Sequence, residues 1–338
     1  MKQKLQALLF GMLLLGVTGC REFYDYFNEV EPKILKIQDF ATGLAAPLGM
    51  DIDAKGQIWV TEIGTGNNSG KVSVITSKGV KYVVLEGFPS SLGPEGLEGL
   101  NHILVKNGML YILHVNGLLY KANINSYKPG DAPKQASTLQ TEDIGSFVLD
   151  YDFENDTEES NPYNLTVGPQ GDIFITDAAA NVIIRRSSSG KLSVFATFPD
   201  LDNPTGIGPP TIDPVPTSIT FVQQKFYVTT LTGFPFPTGK ARIYAVDLAG
   251  NISLYQEGFT TITDMSLDPA DNPVLVEHAQ FGPQGFMPTT GRIVVATATG
   301  QSTMVAGLNQ PTAIVRANPL TYYVNSLADG KIMKVSPY

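Results

Sequence analysis

One cysteine, Cys20, stands in 338 residues, so no disulfide is available within the chain and stability must come from burial and hydrogen bonding. Histidine is almost as scarce: His102, His114 and His278 are the only three, too far apart for the tight ligand spacing of a structural zinc site. Positive charge is in deficit, with 23 Lys and Arg against 32 Asp and Glu and a net charge of −9, which makes the chain a poor nucleic-acid binder. Apolar residues recurring at helical spacing are essentially missing. So are the loops that announce common chemistries. Gly64-Thr65-Gly66 runs into Asn67-Asn68-Ser69-Gly70 between two strand-like segments, the wrong context for holding a phosphate at a helix N-terminus, and there is no nucleophile elbow or dinucleotide fingerprint.

What is present begins at the N-terminus. Met1-Lys2-Gln3-Lys4 carries two positive charges and leads into Leu5 to Val17, an apolar run too short to span a bilayer but suited to an export signal. It closes on Val17-Thr18-Gly19-Cys20, which matches the lipobox of bacterial lipoproteins, so Cys20 is the expected lipidation site. Residues 1–19 then read as signal peptide, 20–32 as an aromatic and acidic tether, and 33–338 as the folded domain. Removing the signal deletes Lys2 and Lys4 and takes the net charge from −9 to −11. The expectation is a monomer held by its lipid at the bacterial envelope, periplasmic or on the outer membrane.

The body of the chain repeats. Six short apolar runs follow turn residues and end in a polar group: Ile58 to Glu62, Leu110 to His114, Ile173 to Asp177, Phe226 to Thr230, Val274 to His278 and Tyr322 to Ser326. Their starts are 52, 63, 53, 48 and 48 residues apart, the length of one four-stranded sheet, and repetition at that length marks a propeller or a solenoid. Each unit reads as a meander of β-branched and aromatic strands. The last has only three, Ala313 to Val315, Tyr322 to Asn325 and Ile332 to Val335, and the unassigned Ile34 to Ile37 can supply the fourth. The expected fold is an all-β, six-bladed β-propeller of antiparallel blades, closed by the N-terminal strand in the last blade. A β-sandwich is the competing architecture.

Strand direction alternates within a blade, so the start of each inner strand and the end of each second strand share one face. Aligning the repeats puts Gly49, His102, Asn164, Ser218, Asp264 and Ala313 around the channel entrance, and Glu62, His114, Asp177, Thr230, His278 and Ser326 one shell outward. Asn164, Asp264 and Glu62 offer hard oxygen donors, the chemistry of a Ca2+ ion, and are the candidate metal ligands. His102 and His114 are the candidate proton carriers. Polar groups in this outer shell have a second reading, as hydrogen-bonding caps on neighbouring strands, and Asp177 and Glu62 suit it.

Two loops on the same face are unusually apolar. Leu231 to Gly239 contains Phe234-Pro235-Phe236-Pro237, and Ala279 to Pro288 repeats the aromatic and proline content. Their rings either pack over the blade tops or line an apolar pocket. Phe234, Phe236, His278, Asp177 and Arg242, the last facing an anionic group or solvent, complete the candidate ligand-binding set.

Ser160-Asn161-Pro162-Tyr163-Asn164-Leu165, Thr176-Asp177 before Ala178-Ala179-Ala180-Asn181, Val215-Pro216-Thr217-Ser218, the Gly233-Phe234-Pro235-Phe236-Pro237 stretch through Ala241-Arg242-Ile243-Tyr244, and Gly258 to Asp264 together resemble the ScyD/ScyE family. The likeness runs from about residue 40 to the C-terminus and departs most around His102 and the insertion from Tyr127 to Thr141. It implies an exported six-bladed propeller without a defined activity. The repeat is more distantly similar to the SMP-30/gluconolactonase and NHL-type propellers; in the former, a channel-mouth metal held by Asn and acidic residues activates a lactone or ester. Asn164 fits that pattern best, Asp264 is displaced by one place, and Glu62 lies on a second strand. Three functions follow as expectations: a small-molecule or carbohydrate-like ligand bound at the channel mouth, a calcium-dependent lactonase or esterase, and a protein-interaction scaffold.

Overall fold

A computed structural model describes residues 35–93, 96–155 and 157–337, and the propeller unit spans Ile37–Ser336. The signal peptide, Cys20 and the tether lie outside the described residues. No helix among the described residues is long and apolar enough to cross a membrane.

Each apolar run becomes the second strand of a four-stranded antiparallel sheet, and six such sheets form the blades of a six-bladed propeller. Blade one is Pro47–Ile52, Ile58–Glu62, Gly70–Ile75 and Lys81–Phe88. The later blades open on the inner strands Leu100–Lys106, Pro162–Val167, Pro216–Val222, Ile262–Leu267 and Ile314–Asn318. In the last blade Leu35–Thr42 pairs with the C-terminal strand Lys331–Pro337, so the first strand of the chain completes the sixth sheet and covers an edge that would otherwise be open.

Second strands are buried on both sides because each blade is packed between two others, and alternate side chains serve opposite neighbours. Trp59 joins the core shared with blade two, with Val72, Phe88, Leu100 and Ile112, while Ile58 and Val60 join the core shared with blade six, with Ala313 and Ile332. Phe174 faces blade four while Ile173 and Ile175 face blade two. Each fully buried aliphatic or aromatic side chain contributes about 1.5–3 kcal/mol, so the stability is distributed over the blade-to-blade seams.

The longest interval between runs contains the insertion after blade two's third strand. Its Lys134–Gln135 pairs in parallel with Leu85 and Glu86 as a fifth strand on blade one, and a short α-helix, Ile144–Leu149, packs Ile144 and Val148 against blade three.

A belt of hydrogen bonds crosses every seam near the inner strands. Thr61 Oγ1 donates to Asn101 O at 2.7 Å, Asn101 Nδ2 to Pro162 O at 2.8 Å and Thr176 Oγ1 to Thr217 O at 3.1 Å. Thr217 Oγ1 donates to Ile262 O at 2.8 Å, Thr263 Oγ1 to Pro311 O at 3.5 Å, and Thr312 Oγ1 to Leu48 O at 2.8 Å, which returns the belt to blade one. Buried backbone carbonyls exposed by bulges at the inner strands are satisfied in this way.

Candidate functional site

The inner strands of blades one and two approach closely near their starts. A side chain at Gly49 would place its Cβ 2.5 Å from His102 Cα, so this approach requires glycine there. A cavity of about 330 Å³ therefore begins at the level of His102, Asn164, Ser218, Asp264 and Ile314 and runs toward the C-terminal ends of the inner strands, lined there by Thr166, Thr220, Ser266 and Arg316. Exposure rises in the same direction: Asp264 and Asn164 are 5% and 6% exposed, while Thr166, Ser266 and Arg316 are half-buried. The expected cluster exists, but the cavity lies on the far side of it from the expected entrance.

Asp264 organises the cluster. Its Oδ1 accepts from Asn164 Nδ2 at 3.0 Å and from Ser218 Oγ at 2.9 Å, and its Oδ2 accepts from Ile314 N at 2.9 Å. Burial outweighs these bonds and pushes its carboxyl up to about 7. Asp51, on blade one's inner strand, is held by Val105 N at 2.7 Å and Ile52 N at 2.7 Å, and burial raises it to about 6. His102 is 2% exposed and lies 5.0 Å, ring to ring, from Tyr163. Its Nε2 has no hydrogen-bond partner, and burial pushes its imidazole down to about 3, so the ring is neutral. The Tyr163 hydroxyl is raised, first by burial and then by the nearby Asp264.

The structure brings Asn164 and Asp264 together and keeps Glu62 apart. Glu62 Oε2 accepts from Ala45 N at 2.7 Å and pairs with Lys81 at 2.9 Å, while Ser73 Oγ donates to its Oε1. Asp177 does the same work in blade three, accepting from Asn161 N at 2.8 Å and Ser160 Oγ at 2.6 Å. In blade five the register partner of Ile262 is Glu277, whose Oε1 accepts from Thr260 N at 2.9 Å. The equivalent residue there is thus Glu277, and His278 sits one place beyond it. In these three blades the residue ending the second strand is a cap that ties down the loop preceding its own blade.

Asp264 supplies the cluster's one carboxylate, both oxygens of which already accept protein donors, and Asn164 Oδ1 accepts from Leu165 N at 2.7 Å. Among the described residues no three acidic, histidine or cysteine side chains gather as a cation shell. This donor set does not fit calcium, which takes six to eight oxygens.

His114 is occupied at both nitrogens, Nε2 lying 2.9 Å from Pro89 O and Nδ1 accepting from Asn116 N at 3.1 Å. His278 Nδ1 lies 3.0 Å from Pro311 O, and its ring meets Phe286 edge-on at 5.0 Å. Phe236 packs on Phe281 at 4.9 Å and on Phe286 at 5.1 Å, with Phe234 standing over them 55% exposed. These rings cover the blade tops and do not line the central cavity. Arg242 is paired with Glu257 at 3.3 Å.

Two cavity residues escape a reading by motif. Asp51 lies two places beyond Gly49, and Arg316 one place past the expected end of its strand. The signal for Arg316 is in the register: counted four places back from Glu62, His114, Asp177, Thr230, Glu277 and Ser326, the second-strand residues Ile58, Leu110, Ile173, Phe226, Pro273 and Tyr322 pair with Ile52, Val105, Val167, Phe221 and Leu267 in blades one to five, and with Arg316 in blade six.

No protein-family model matches the chain, and no curated protein does. Solved structures do. The virginiamycin B lyase of Staphylococcus aureus aligns over 90% of this chain and 100% of its own, with a TM-score of 0.54 and 15% identity. A gluconolactonase from Xanthomonas campestris aligns over 90% of both, at 0.58 and 11%. The PQQ-bound aldose sugar dehydrogenase of Streptomyces coelicolor aligns over 91% of this chain and 99% of its own, at 0.58 and 11%. At such identities the likeness is one of fold, a propeller shared by proteins of different chemistry.

Proposed function

We propose that this chain is an exported propeller of the ScyD/ScyE type that binds a small, polar organic ligand, carbohydrate-like in its hydroxyl content, in the central channel. The observation that carries the reading is the buried group of Asp264, Asn164 and Ser218 beside the unpartnered Nε2 of His102, at the inner end of a cavity of about 330 Å³. That volume is at the small end for ligand pockets and suits a molecule of monosaccharide size. A neutral imidazole and a carboxyl near half-protonation each give and take hydrogen bonds, which is what sugar hydroxyls require. Export and lipid attachment at Cys20 rest on the sequence of residues 1–20. Calorimetric titration with a panel of monosaccharides tests the binding: saturable heat that Asp264→Asn abolishes supports it, and no heat from any member at millimolar concentration defeats it.

Lactone or ester hydrolysis is the second reading, favoured by Asp264, whose carboxyl near 7 can donate and accept a proton at neutral pH. The donor set speaks against its calcium-dependent form. A lactone and ester panel decides it, since turnover lost in Asp264→Asn is required.

A further inference from the structure

Resting on the small-molecule reading of the channel, we infer that the ligand carries a carboxylate and that Arg316 binds it. Arg316 breaks the pattern of the ring: at the register position where five blades place Ile52, Val105, Val167, Phe221 and Leu267, the sixth places a guanidinium on the cavity wall. Its charge is also unspent. Arg185, Arg186, Arg242 and Arg292 each hold a carboxylate, to Asp172, Glu142, Glu257 and Glu277, and Arg316 is the one arginine among the described residues without such a partner.

An unpaired guanidinium half-buried in a ligand-sized cavity is costly to keep, and in a chain of net charge −9 acidic partners were plentiful. Its planar fork matches an oxyanion with two parallel hydrogen bonds. One positive charge balances one negative charge. Asp51 and Asp264 share the cavity walls and repel a dianion more strongly than a monoanion, so a carboxylate fits better than a phosphate. The arrangement is bipolar: Arg316 toward the half-buried end, Asp264 with Asn164, Ser218 and His102 at the buried end. A hydroxy acid meets both, with its carboxylate on Arg316 and its hydroxyls on the inner cluster.

Matched pairs differing only in the acid group test this on the full chain at neutral pH. D-Galacturonate against D-galactose and D-glucuronate against D-glucose, with glucose 6-phosphate as the dianion, would be titrated into the parent protein, Arg316→Gln and Arg316→Lys. The expected result is at least one uronate bound roughly tenfold tighter than its neutral partner, the strength of a charge-assisted hydrogen bond. Arg316→Gln should erase that preference, so that acid and neutral sugar bind the variant equally, and Arg316→Lys should keep part of it. Circular dichroism and thermal melting of both variants establish that they fold, and either one, folded, carries the test. Equal binding of acid and neutral sugar, a preference that survives Arg316→Gln, or tighter binding of the phosphate overturns the assignment to Arg316 and leaves the channel reading standing. No binding of any sugar, acid or neutral, overturns both.

Discussion

Asn164 Nδ2 donates to Asp264 Oδ1 at 3.0 Å across 100 residues of sequence, joining the inner strands of blades three and five through the channel. Ser218, on the blade between them, donates to the same oxygen at 2.9 Å. With Ile314 N of blade six on the other oxygen, four blades share one buried carboxyl, and its charge state depends on all of them.

Removing either donor leaves that oxygen short of a partner in a buried site. Asn164→Ala or Ser218→Ala should each cost about 1–3 kcal/mol at pH 8, where the carboxylate is charged, and less at pH 5, where it holds a proton. Urea unfolding at the two pH values measures the difference. An equal loss at both would mean that the bonds do not depend on the charge of Asp264.

The raised carboxyls make stability fall as pH rises. Asp264 binds its proton up to about 7 in the folded chain and Asp51 up to about 6, both from a reference of 3.8. Their contribution is complete below the unfolded value and is lost as pH climbs through the folded one, roughly 4 kcal/mol in all for a shift of about three units at Asp264. Glu142 runs the other way. The Arg186 hydrogen bond holds it down at about 2, so its contribution is present above the usual carboxylate range and disappears in strong acid. Asp264→Asn should flatten the decline of the urea midpoint between about pH 4 and 7, and a decline of unchanged slope would contradict the burial argument.

The capping carboxylates behave differently from Asp264. Glu62→Ala strands Ser73, the Lys81 ammonium and the Ala45 N–H, and should destabilise the fold by about 3 kcal/mol while leaving ligand titrations of the folded protein unchanged. Asp177→Ala should follow it. A selective loss of ligand affinity in either variant, with stability intact, would return these residues to the binding site.

Calcium should do little. With both Asp264 oxygens engaged and Glu62 held within its own blade, millimolar calcium is expected to leave the melting temperature of the chelated protein unchanged. A saturable upward shift, absent in Asp264→Asn, would show that the cluster rearranges into a cation shell.

Ring closure was legible in the residues because the final repeat lacks a strand and Ile34 to Ile37 is left over; the strand described is Leu35–Thr42, which reaches further along the chain. The inner cluster was legible too, since aligned repeats place Asn164, Ser218, Asp264 and His102 at one level. Its partition of labour was not. Glu62 and Asp177 have the residue type of a ligand, and only the upstream N–H groups they accept from reveal them as caps. His278 was misplaced by one because blade five's second strand starts at Pro273, a residue that strand propensity discounts. Arg316 was hidden because its strand continues through Asn318, beyond the apolar stretch that marks it.

The most direct measurement of the central claim is a crystal structure grown with D-galactose and D-galacturonate. The account predicts a sugar in the central cavity within hydrogen-bonding distance of Asp264, Asn164 or His102. A cavity holding only ordered water, with sugar elsewhere on the surface or absent, would contradict it.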